Sequence, residues 1–65
     1  PHKNWSIQVT WTEYNETGKP FLARSVFQCE APDMQAAYKI AEQADWGERK
    51  NVKFGSILPG HHTIF

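Results

Sequence analysis

The chain reads as a small α+β domain: a three-stranded antiparallel sheet in spatial order 2-1-3, with one helix packed on one face. Three observations predict it. Residues 5–14 alternate apolar and polar with a period of two. Residues 33–46 carry apolar side chains at helical spacing. The turn signal N-E-T-G-K-P separates two strand-like runs. Residues 1–65 form a single ββαβ unit, without repeats, linkers or low-complexity segments.

In the first strand, 5–14, Trp5, Ile7, Val9 and Trp11 share one parity, and Ser6, Gln8, Thr10 and Thr12 share the other. One face therefore packs on a core and the other meets water. Asn15 to Pro20 is a hairpin loop, because Asn and Gly tolerate the backbone angles of a turn and Pro stiffens its exit. The second strand, 21–30, alternates less cleanly. Phe21, Ala23, Phe27 and Cys29 share a parity, but Leu22 and Val26 lie on the other beside Arg24 and Gln28, which calls for a bulge or a second, partly covered face. Phe27 and Cys29 are assigned to the core.

The helix spans 33–46. Asp33 suits the N-cap, where its carboxylate meets orphan N–H groups and the positive end of the dipole. Met34, Ala37, Ile40, Ala41 and Ala44 form the apolar face, with Gln35, Lys39, Glu42 and Gln43 opposite. So alanine-rich a face needs bulk from the sheet, from Trp5, Val9, Trp11 and Phe27. Gly47 is the expected C′ residue. After a charged loop, 48–50, the third strand runs over 51–58, with Val52 and Phe54 on one parity and Gly55 marking a bulge or a close contact. Pro59-Gly60 ends it, and the tail H-H-T-I-F is either a short extra strand or an apolar flap. A right-handed crossover through the helix places strand three beside strand one.

Composition narrows the function classes. Lys+Arg and Asp+Glu both count 7, and aromatics make up 14%. That is too aromatic for a disordered segment and too balanced for a polyelectrolyte tail. No apolar run approaches the roughly 18 residues of a membrane helix. A single cysteine excludes an internal disulfide and, with no export-type segment in these residues, points to the cytoplasm. Small domains lean on disulfides, metals, partners or bulky side chains for stability. Cys29, His2, His61 and His62 are poor material for a four-ligand zinc site, so neither metal nor cofactor is expected. The abundant rings therefore either fill the core or wait for a partner.

Nor is an enzyme expected. There is no Gly-rich phosphate loop, G-x-S-x-G, CxxC or HExxH. Cys29 with His61 or His62 is a nucleophile–base pair on paper, but a Cys beside Phe27 in a strand reads as a small core hydrophobe. Glu13 with Glu16, and Glu30 with Asp33, lie at element ends, where solvated or capping carboxylates are normal. A polar sheet face with Gln8, Thr10, Thr12, Arg24 and Lys53 suits a DNA groove, but zero net charge weakens phosphate binding. Protein binding is favoured. Tyr14, Trp46 and Phe65 lie at element ends, where rings serve as anchors, with Arg24, Arg49 and Lys50 as charged rim contacts. The open sheet edges offer a place for a partner strand or a second copy of the chain.

The stretch A31-P-D-M-Q-A-A-Y-K-I-A-E42, with Val52 and then Leu58-Pro59, resembles small phage proteins that take over the host. It is similar above all to the coliphage inhibitors of bacterial RNA polymerase, along about half the chain. The shared positions are Ala31, Met34 (a leucine in those proteins), Ala37, Ile40, Ala41 and Glu42. The resemblance implies a hairpin, one helix and a final strand, and a phage-encoded inhibitor acting in the host cytoplasm. Those inhibitors are acidic and use charged residues of the sheet region, whereas this chain is neutral with a Thr-rich, aromatic first strand. The expected function is therefore a non-enzymatic module that binds and blocks a host protein, either RNA polymerase or a defence system. The alternative is a small DNA-binding protein that uses the exposed sheet face.

Overall fold

The computed structural model describes residues 2–60. Its elements are β1 (Lys3–Tyr14), β2 (Pro20–Ala31), α1 (Met34–Gln43) and β3 (Lys50–Pro59). The strands form one antiparallel sheet in the order β2-β1-β3. The tail from His61 to Phe65 lies outside the described residues.

The covered face of β1 follows from its alternation. Ile7 and Val9 are fully buried, and Trp5 and Trp11 nearly so. Trp5 and Ile7 pack with Ala31, Ala37 and Ala41 into a core that Phe27, Cys29, Tyr38, Phe54 and Ile57 border. Trp5 also donates from its indole N–H to the Ala31 carbonyl at 3.0 Å, so its buried polar group is satisfied.

β1 and β2 pair without a break from Lys3 opposite Ala31 to Tyr14 opposite Pro20. β2 therefore has no bulge, and its imperfect alternation has the other cause. Leu22 is exposed and Val26 half-buried on the face away from the helix. The irregularities lie in β3. Ile7 faces Ile57 and Val9 faces Phe54, so β3 takes three steps where β1 takes two; the same happens between Thr10–Lys53 and Thr12–Lys50. Each bulge resets the parity of β3. The first, at Gly55, puts Phe54 and Ile57 on the same covered face despite their odd spacing. At the second, Asn51 takes a positive φ of 56°.

The hairpin loop is built around one carboxamide. Asn15 Oδ1 accepts from the Thr17 N–H (3.0 Å), the Thr17 hydroxyl (2.7 Å) and the Lys19 N–H (2.9 Å). Gly18, at φ 82°, closes the turn by donating to the Asn15 carbonyl.

The helix is shorter than its periodicity predicts. Asp33 caps it, accepting from the Ala36 N–H at 2.8 Å. It ends at Gln43 because Ala44 is already extended. Gly47 is not the C′ residue; its positive φ of 62° serves a later turn, in which its N–H donates to Asp45 Oδ1. The buried face is also rotated from the expected one. Ala37 and Ala41 are buried, whereas Met34 and Ile40 are exposed. Tyr38 turns inward instead, and its hydroxyl donates to the Gly55 carbonyl at 2.7 Å, tying α1 to β3 across the sheet.

The short helix leaves part of the sheet to be covered by other residues. A twelve-residue strand spans about 40 Å and a ten-residue helix about 15 Å. The helix cannot cover the sheet, and the loop 44–49 covers what it leaves. Trp46 sits 5.5 Å from Phe27 on β2 and 5.8 Å from Phe54 on β3, so its ring bridges the strands flanking β1 over Ile7 and Val9. Its indole N–H donates to the Ala41 carbonyl at 2.7 Å. Arg49 then lies over Trp11, 4.9 Å from the ring centroid, and its Nη1 donates to the Trp46 carbonyl.

Trp46→Ala should destabilise the fold by about 3 kcal/mol, measured by urea denaturation, because it opens a cavity between two rings. Asn15→Ala should cost about 1 kcal/mol in the same assay, since its lost hydrogen bonds are solvent-exposed.

Candidate binding surface

The even-numbered residues of β1 and the residues facing them form the open side of the sheet. Their cross-strand rows follow from the register. Leu22, Thr12 and Lys50 make one row, and Arg24, Thr10 and Lys53 the next. Toward the far end, Val26 faces Gln8, and Gln28, Ser6 and Leu58 align, but Ser6 does not meet water as its parity predicts: it is fully buried, and its hydroxyl donates to the Gly60 carbonyl at 2.7 Å. Tyr14 ends the face at the hairpin, with the Lys50 ammonium 5.9 Å from its ring centroid. Tyr14 and Leu22 are 53% and 57% exposed, so the hairpin end combines an aromatic ring, an aliphatic side chain and cations.

Charge is segregated although the total is zero. Arg24, Lys50 and Lys53 lie on the open face. Of the seven acidic residues, only Glu30 does. Glu13 lies on the other side and accepts from the Trp11 indole N–H at 2.7 Å. Glu16 is in the hairpin loop, Asp33 caps α1, Glu42 is on α1, and Asp45 and Glu48 are in the loop after it.

The sequence-predicted contact residues separate accordingly. Tyr14, Arg24 and Lys50 share the open face. Trp46 and Arg49 lie on the covered side, engaged with Phe27, Phe54 and Trp11. Phe65 lies outside the described residues. Leu22 belongs with the first three, and so does Lys53, which the sequence placed beside Arg24 on the polar face as a DNA contact and not as a protein contact. Lys53 lies between Val52 and Phe54, and Leu22 shares the parity of Arg24, so alternation alone assigns both to the open face.

Of the carboxylate pairs considered for acid–base chemistry, Glu13 and Asp33 have the structural partners just described. Cys29 is half-buried opposite Trp5, and burial pushes its thiol pKa up. His61 and His62 lie outside the described residues. Among the described residues no group of three His, Cys, Asp or Glu side chains is placed to hold a metal ion, and no helix is long and apolar enough to cross a membrane. A shallow open groove of about 150 Å³ lies where β1 ends and β3 begins, lined by Thr12, Glu13, Tyr14, Glu48, Arg49 and Lys50. No protein-family model, curated protein or solved structure matches the chain.

The raised thiol pKa has a direct readout. Cys29 should be alkylated by iodoacetamide more slowly than a free cysteine at pH 8, because less thiolate is present. Its rate should still be rising with pH where the free thiol has levelled off.

Proposed function

We propose that this protein is a non-enzymatic binding module that lays its open sheet face against an acidic surface of a host protein and blocks it. The observation that carries this reading is the charge segregation: three cations and one carboxylate on a face that also exposes Tyr14 and Leu22. Tyrosine and arginine are the residue types that anchor protein interfaces, and an apolar contact ringed by cations suits a partner with carboxylates around a small apolar patch. The resemblance of residues 31–42 to phage inhibitors supports bacterial RNA polymerase as the first target to test and a phage origin for the chain.

The rows of Thr, Gln and Arg favour DNA as a second reading, since these side chains pair with base edges. Magnitude decides between them. Three cations support about three phosphate contacts, and a slope of log affinity against log salt near −2.7. Proteins held mainly by phosphates make about six to ten such contacts. The exposed ring and leucine add apolar contact, which a protein partner uses better.

Binding of the labelled chain to purified bacterial RNA polymerase and to duplex DNA, each at two salt concentrations, tests the assignment. The expected result is polymerase binding that Tyr14→Ala weakens about tenfold, the scale of an interface anchor. Tight DNA binding with a slope steeper than about −5, and none to polymerase, would overturn it.

A further inference from the structure

The two edges of the sheet are not equivalent. β3 is interrupted by two bulges, carries Lys50 and Lys53, and ends in Pro59. These are the devices by which natural sheets prevent edge-to-edge pairing. Between Phe21 and Ala31, β2 has no bulge, no lysine and no proline, and its two charged residues, Arg24 and Glu30, are of opposite sign. Pro20 stands only at its first position.

The free backbone groups of β2 are identified by the ladder. Antiparallel pairs alternate between bonded and non-bonded. The Asn15 N–H donates to the Lys19 carbonyl at 2.9 Å, which makes that pair a bonded one. Tyr14 and Pro20 are therefore a non-bonded pair, as a residue without an N–H requires. The Gly60 N–H donates to the Asn4 carbonyl at 2.7 Å, so the even residues of β1 turn toward β3, as the same alternation demands. By the same count, Leu22, Arg24, Val26, Gln28 and Glu30 direct their N–H and C=O groups away from β1.

We propose that the outer edge of β2 pairs antiparallel with β2 of a second copy of this chain, about a two-fold axis at Phe27. Charge selects this register. Arg24 and Glu30 lie on the same face, six positions apart. An axis at Phe27 sets Arg24 of each copy opposite Glu30 of the other and Val26 opposite Gln28. An axis at Val26 would instead leave Glu30 opposite Leu22. On the covered side, the axis at Phe27 brings the two Phe27 rings together and extends the row Phe54–Trp46–Phe27 into its symmetry mate. The half-buried edges of Phe27 and Cys29 are covered in the process. This dimer stands independently of the host-protein reading, since it uses the sheet edge and the other the sheet face.

Sedimentation equilibrium from micromolar to about 1 mM tests the proposal. The wild type should be a dimer. Val26→Pro should be monomeric with an unchanged circular dichroism spectrum, because it removes an N–H the β1 ladder does not use. Arg24→Glu and Glu30→Arg, both at exposed positions, should each weaken self-association about tenfold or more. Mixed with each other they should restore the dimer, since every facing pair is then of opposite charge. A wild type that is monomeric at about 1 mM overturns the proposal. So does a dimer that survives Val26→Pro, or one insensitive to the charge exchange.

Discussion

The structure turns on a mismatch of lengths. Three long strands present a row of large apolar side chains on β1, and the chain supplies a single helix of ten residues to cover them. Alanine at positions 37 and 41 lets the helix lie close over Trp5 and Ile7, but it ends well short of Trp11. The remaining core exists only because the loop after the helix folds back along the sheet, with Trp46 first and Arg49 behind it. Extending the helix through residue 46 would carry Trp46 around a helical turn and away from the gap between Phe27 and Phe54. The early helix end, the docked indole and the Arg49–Trp11 stack are thus parts of one arrangement.

Covering one face in this way leaves Gln8, Thr10, Thr12 and three of the seven cations on the other. The loop and helix absorb most of the carboxylates, through the Asp33 cap and the Asp45 turn among them. The open face keeps Arg24, Lys50 and Lys53, while Lys3, Lys19, Lys39 and Arg49 lie elsewhere. A net charge of zero describes the whole molecule and neither of its sides. A partner approaching the open face meets cations, and at contact distance the local field governs, since exposed charges more than about 8–10 Å away are screened at ordinary ionic strength.

The strands and the covered face of β1 were legible because a period of two cannot be read two ways over ten residues, and their order because a right-handed crossover sets β3 beside β1. The hairpin was legible from Asn15 and Gly18. The helix C-terminus was not, because Ala44 and Asp45 continue the helical pattern and the competing interaction, Trp46 with two rings from distant strands, is tertiary. The face of the helix was misjudged for the same reason: Tyr38 turns inward to a carbonyl on β3, seventeen residues away. Trp46 lies on the covered side, whereas its place at an element end had marked it as a contact residue. Bulk next to a loop does not distinguish a ring awaiting a partner from a ring closing the core, and only the strand length set against the helix length does so here.

The bulges of β3 link the core to the surface. Their first effect is internal: at Gly55 they reset parity so that Phe54 and Ile57 both reach the core. Their second is external, since a strand broken twice cannot extend a regular ladder on its outer side. The same sequence irregularity that completes the core therefore removes one edge from competition and leaves β2 as the unbroken one. In the dimer proposed above, that unbroken edge would run the two sheets on as one and bring two copies of the open face side by side, with the Tyr14–Lys50 ends at opposite corners.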